Sequence, residues 1–308
     1  MKSSLRTALI LLVPCLISAQ IQVEIVPGSD DRNPDVVVSG TDRAKTSDID
    51  LQAFQLTENS VQENLARMEL TWKRVKQVNI NHASAEGYRD LFITLKSMSG
   101  RILRSNDKTK TVNKIYVRNQ GLKARSSKPI LRREVTETMT TKWHEIKHLS
   151  VGSDIKHLVG FNRLVHSSKY GEEDHASRTV TVEAETEDGP MLQPGESVQA
   201  ELQVKETTVE VRIDYEVSLD GDIYFGYLCD WLFGVCAKHS HIDINDYLKK
   251  KGQSPVLKPY EIVTFTYYHD PQVKFGEVKK NTVPADSNTL YDFKSQNIEQ
   301  VHDNDLIH

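Results

Sequence analysis

Residues 178–219 restrict the fold of this chain more than any other stretch. They read RTVTVEAETEDGPMLQPGESVQAELQVKETTVEVRIDYEVSL. Val180, Val182 and Ala184 alternate with Thr179, Thr181 and Glu183. After a turn-rich segment holding Gly189-Pro190 and Pro194-Gly195, Val198, Ala200, Leu202 and Val204 take the even positions. Beyond Lys205-Glu206 the apolar set moves to odd positions: Val209, Val211, Ile213, Tyr215, Val217 and Leu219. A period of two sends successive side chains to opposite faces of a strand. A change of parity inside such a run calls for a turn or bulge at residues 205–208. Each run has one apolar face and one face of Thr, Glu and Lys, the pattern of an antiparallel sheet with one wet side.

The first residues, MKSSLRTALILLVPCLISAQ, have the form of a signal peptide. Lys2 and Arg6 supply the charged start, Ala8 to Leu16 the apolar run and Ala19 the small residue before a cut. The apolar run is about half of what a membrane-spanning helix needs. Residues 1–19 are therefore expected to be removed and the product to be secreted and extracellular. Their loss takes Lys2 and Arg6 and no acid, so the formal charge moves from −4 to −6. An acidic balance argues against a nucleic-acid partner, which requires a concentrated basic face. Cys15 leaves with the signal, and Cys229 and Cys236 remain. In an oxidising compartment, thiols this close in sequence are expected to pair around DWLFGV; the alternative is two free buried thiols.

In chain order, residues 20–110 read as a mixed α/β region. Leu56, Val61, Leu65, Met68, Leu70, Trp72 and Val75 give helical periodicity within 47–78, with Thr57 or Ser60 as cap. Helix is expected only in this N-terminal third. Residues 88–95 read as a strand or short helix, and 97–110 as a loop. Strand character then dominates a β module over 111–285, including TVNKIYVRNQ, PILRREVTETMTTKWHEI and KPYEIVTFTYYHD. In the second of these, Val135, Met139 and Trp143 share a face that Glu137 and Thr141 interrupt. An aromatic-rich hairpin, with Tyr224, Phe225, Tyr227, Trp231 and Phe233, surrounds the two late cysteines. Residues 286–308 form an acidic, loosely held tail.

The order of these pieces carries a resemblance. A Thr-rich strand ends in Trp143, followed by Val151-Gly152-Ser153, the Thr/Val strand at 178–186 and Leu-x-Pro-Gly-x-x-Val at 192–198. Two strands then finish in Leu219-Asp220-Gly221-Asp222 and an aromatic loop. Over residues 111–270 this resembles the aerolysin-like β-pore-forming family of the epsilon-toxin and mosquitocidal-toxin type, with the ending closer to its spherulin-like eukaryotic branch. The resemblance implies an elongated, twisted antiparallel sheet. It also implies a detachable hairpin over 144–177, self-association into a homo-oligomer on activation and a membrane as partner; the aromatic cluster of 224–233 is read separately, as a glycan or lipid surface or as core packing beneath the cysteines. Val151, Ile155, Val159 and Phe161 would form the apolar face of that tongue. His157 and Arg163 fall on the same face, and the second arm, Glu172-Glu173-Asp174-His175, hardly alternates. Charges facing lipid at mid-bilayer cost roughly 2–4 kcal/mol each, which weighs against efficient insertion.

His144, His148, His157, His166 and His175 crowd this zone and are candidate pH sensors, since imidazoles gain charge near endosomal pH. His239 and His241 share a strand face without an evident third ligand, so no metal is expected. The chain has no phosphate loop, no Gly-x-Ser-x-Gly and no Cys-His nucleophile, and no catalytic residue or cofactor is expected. Two functions fit: a secreted self-associating protein acting at membranes through its tongue, or an extracellular binding or structural β protein that does not insert.

Overall fold

A computed structural model of the chain describes residues 21–26, 35–69, 73–80, 86–145, 147–151, 154–160, 164–231, 234–280 and 290–292. Strands β1 (Ile21–Val26), β2 (Asp35–Ser39) and β3 (Thr41–Lys45) precede helices α1 (Asp48–Ala53) and α2 (Glu58–Glu69) and strand β4 (Lys73–Asn79). Then come β5 (Phe92–Arg118), β6 (Arg125–Ser126), β7 (Ile130–His144), β8 (Asp154–Val159), β9 (Leu164–Lys169) and β10 (Asp174–Glu185). The chain continues with β11 (Met191–Leu192), β12 (Glu196–Asp220), β13 (Asp222–Trp231), β14 (Gly234–Asp243) and helix α3 (Ile244–Lys250). It finishes with β15 (Val256–Leu257), β16 (Tyr260–Phe275), β17 (Lys279–Lys280) and β18 (Leu290–Asp292).

The protein is mainly β, as its alternation requires. Its principal sheet runs β10-β7-β16-β12-β5-β18, with β3 on β5 and β15 and β17 on β12. Its pairs are antiparallel except β18, which runs parallel to β5. At about 3.3 Å per residue, the 27 residues of β5 extend about 90 Å. A second sheet, β2-β1-β8-β9, lies against the first, and β14-β13-β4 forms a third. The close approach of β2 to β5 depends on Gly100, where a Cβ would meet the Val36 side chain at 2.2 Å.

The parity change in residues 178–219 is not made by a turn. β12 runs unbroken for 25 residues, with even positions buried up to Val204 and odd positions from Thr207 on. The register shifts near this point place the additional residues on the neighbours: Val112 on β5, and Asp270 and Pro271 on β16 against Val204 alone. β12 keeps its own alternation, so its buried side changes face at 205–206. The apolar core accordingly divides in two. One cluster gathers Val117, Leu131, Val182, Leu192 and residues 198–204 of β12. The larger one takes residues 209–219, β1, the helices and β8, and lies on the opposite face.

Other expectations need correction. Residues 97–110, read as a loop, belong to β5, which crosses the division expected at 110 without a break. Their polar side chains conceal a strand because pairing with β12, not local pattern, specifies it. Helical periodicity extended to Val75, but α2 ends at Glu69 and Val75 lies in β4. Thr57 accepts from the Ser60 N–H at 3.1 Å, the expected cap. Helix is not confined to the N-terminal third: α3 is seven residues long, capped by Asp243 and buried through Tyr247 and Leu248. The signal segment and most of the acidic tail lie outside the described residues.

Candidate functional site

β7 and β10 pair directly, closing at Thr141↔Asp174, so residues 145–173 leave the principal sheet and return without interrupting its ladder. Within this excursion β8 and β9 form a hairpin with partners from Asp154↔Lys169 to Val159↔Leu164. The second arm is therefore 164–169, not the acidic run at 172–175, which leads into β10. The outer side of β8 pairs in parallel with β1, Ile21↔Ile155 through Ile25↔Val159. Gly160 turns the chain with φ +77, and its N–H donates to the Ile25 carbonyl at 3.0 Å.

Alternation orients the hairpin. Val151, Ile155 and Val159 are buried in the larger core together with Leu164 and Tyr170. Phe161, also expected on this face, lies outside the described residues. His157 is on the same face at 0% exposure, and its Nε2 lies 3.1 Å from Oε2 of Glu261 on β16, itself at 0%. The Tyr215 hydroxyl on β12 donates to the same oxygen at 2.9 Å. Burial, then the charge and hydrogen bond of Glu261, push the Tyr215 phenol well above its ordinary range, so it remains a donor. His157 Nε2 and the Tyr215 hydroxyl thus meet at one buried carboxyl oxygen of Glu261.

Asp50 anchors the base of the hairpin. It is fully buried in the first turn of α1, where it completes a capping box with Ser47. It also accepts the Ser150 N–H at 2.7 Å and the Ser150 hydroxyl. Trp143 at the end of β7 packs with tilted rings against Tyr170 at 4.7 Å and Tyr215 at 5.0 Å. Burial pushes the Tyr170 phenol up to about 12, against a backbone hydrogen bond with Lys147.

The five candidate histidines occupy different surroundings. His166, the register partner of His157, bonds Asp174 at 2.7 Å. Asp174 is held below the usual carboxylate range by the His175 N–H and then by His166. His144 stacks on Tyr260 at 4.9 Å, while His148 and His175 are exposed. His239 and His241 flank Tyr224 and Tyr88, and the described residues contain no group of three or more ligands suited to a metal. Register places Cys229 directly opposite Cys236 in the β13–β14 ladder. Asp220 and Asp222 of the Leu-Asp-Gly-Asp ending bind Arg89 together with Asp243, with Arg89 Nη2 2.7 Å from Asp222 and 2.9 Å from Asp243.

Glu261, Tyr215 and Asp50 were not expected at this site. One signal was available: Glu261 falls in the apolar phase of Val263, Phe265 and Tyr267, as His157 does on β8. No helix among the described residues is long and apolar enough to cross a membrane, a statement that leaves strands open.

No protein-family model matches the chain. It is 26% identical to U-megalopygitoxin(8)-Mc8 of Megalopyge crispata over 148 residues, 47% of this chain and 52% of that protein. It is 28% identical to U-megalopygitoxin(8)-Mo12 of Megalopyge opercularis over 142 residues, 45% and 50% of the two. The chain thus spans about half the length of the curated relatives it matches. A solved non-toxic crystal protein of Bacillus thuringiensis aligns with a TM-score of 0.46 at 7% identity, over 72% of this chain and 94% of that one. Parasporin-2, a Bacillus thuringiensis toxin described as recognising cancer cells, aligns with a TM-score of 0.54 at 11% identity, over 78% of this chain and 99% of that one. A long antiparallel sheet, matched to parasporin-2 along almost all of that protein, gives this chain an aerolysin-like fold.

Proposed function

We propose that this is a secreted, non-enzymatic protein that self-associates at membrane surfaces through the 145–173 hairpin and inserts poorly. One observation carries the reading: an apolar hairpin face, Ile155 and Val159, is buried against the body by a segment that the principal sheet does not need for continuity. A protein that hides such a face can present it to lipid or to another copy. The names of the megalopygitoxin relatives and of parasporin-2 agree with a toxin-like role. A nearer kinship with spherulin-like proteins is part of the proposal and rests on residues 219–222 and the aromatic hairpin alone.

Poor insertion follows from length and charge. β8 and β9 have six residues each, and a tilted transmembrane strand needs about 9–11. Lengthening the arms would draw in Glu172, Glu173 and the histidines. Acid neutralises carboxylates while charging imidazoles, so it favours release of the hairpin more than passage through a bilayer. The second reading, an extracellular β protein that never inserts, is favoured by the same short arms.

Dye release from liposomes, read beside sizing of the mature protein at pH 7 and pH 5, separates them. Weak or no release at pH 7, with acid-enhanced association, is expected. Strong neutral lysis of defined conductance would refute poor insertion, and no association at either pH would favour the second reading.

A further inference from the structure

We infer that Asp50 and Glu261 are two pins that hold the 147–170 segment in its seat, and that this segment opens as a unit when their contacts break while the principal sheet stays folded. The inference rests on reading the hairpin as releasable, but concerns what holds it. Both carboxylates belong to the body, one in α1 and one in β16, and both are fully buried. Each meets a polar group on the excursion: Ser150 donates its N–H and hydroxyl to Asp50, and His157 Nε2 lies 3.1 Å from Glu261 Oε2. The contacts lie at the base and at the middle of the segment. Beside them the seat is apolar, with Ile155 and Val159 packed on the core.

The groups around His157 leave Glu261 as its counterpart. Tyr215 on β12 donates to the same carboxylate oxygen. On β9 the register partner His166 is engaged by Asp174, and on β1 the partner is Val23. Trp143 of β7 closes the surroundings through its contact with Tyr215.

Polar contacts made to buried carboxyl groups suit a seat that must be both specific and reversible. An apolar pair of similar volume commonly holds as well or better, because the polar groups give up their hydration on docking. Removing one partner is nevertheless costly, since it strands the other without water. Pins of this kind fix the register of the hairpin, and on leaving the seat both donor and carboxylate regain hydration. The ladder closed at Thr141↔Asp174 confines the opening to the excursion.

Hydrogen–deuterium exchange of the full mature protein, without lipid, tests this directly. Glu261→Gln and Asp50→Asn are each expected to speed exchange of the β8 and β9 amides about tenfold, and the double variant further, with residues 209–217 of β12 unchanged. Unchanged exchange in β8, or an equal rise in β12, would overturn the inference. Should Glu261→Gln fail to fold, His157→Leu with Glu261→Leu and Tyr215→Phe, which leaves no stranded donor, decides: exchange in β8 should fall below wild type, and a rise there refutes the pins. A protein that opens as described yet never binds liposomes would retire the membrane reading and leave the pins standing. Membrane binding with unaltered exchange in the variants would retire the pins alone.

Discussion

A charged residue in phase with apolar neighbours is costly to bury, so each one here marks a place where two elements are joined. His157 and Glu261 join the hairpin to the sheet, and Glu137, an interruption of the β7 apolar face, accepts from Arg178 of β10 at 2.9 Å. Arg89 ties residues 86–91 to the β12–β13 corner and to the cap of α3. Burial opposes ionisation of Asp222, but the hydrogen bonds and charge of Arg89 outweigh it and hold its carboxyl below the usual range. A folded-state value below the unfolded one, near 3.9, gives stability that is complete above about pH 4 and lost as pH falls through the depressed value. Arg89→Ala should therefore cost about 1–2 kcal/mol at pH 7 and at pH 5 alike, discounted for the exposure of Arg89, and less at pH 3. Urea denaturation at the three pH values checks this; a cost that fades between pH 7 and pH 5 would contradict it.

Among the elements, alternation made β12, β10 and most of β16 legible, because each has one dry face along most of its length. β5 was legible only at its ends. Between 103 and 110 its residues are exposed, and what holds it is ladder pairing with β12 and ion pairs such as Arg104–Glu210 at 2.6 Å. Such pairing spans about a hundred residues of sequence, and local pattern carries no trace of it. The site divides the same way. Val151, Ile155 and Val159 follow from period two, whereas Asp50 and Glu261 are 100 and 104 residues from the groups they hold. The β13–β14 hairpin was read from composition, and its register bears on the cysteines. Directly opposed antiparallel residues have Cα atoms about 4.5–5.5 Å apart, within the range a disulfide spans. Non-reduced mature protein should therefore carry no alkylatable thiol at Cys229 or Cys236, by mass. Reduction should lower stability by about 2 kcal/mol for so short a loop.

For the molecule as a whole, the exchange of buried face along β12 matters most. Leu202 packs in the cluster on one side and Ile213 in the cluster on the other. Each should cost about 2–5 kcal/mol when cut to alanine, and the double variant should equal the sum within about 0.5 kcal/mol. Chemical denaturation of the three variants measures it, and a large coupling would show that the two cores act as one. Where the face changes, residues 103–110 of β5 and 270–272 of β16 are exposed while Val204, Thr207 and Val209 of β12 stay buried, so the cover passes from one face of the sheet to the other within a few residues. Mechanically, the protein is a beam braced from above at one end and from below at the other. A load applied through the hairpin therefore enters the larger cluster on one face and reaches the smaller cluster on the other only through the strands that cross 205–206.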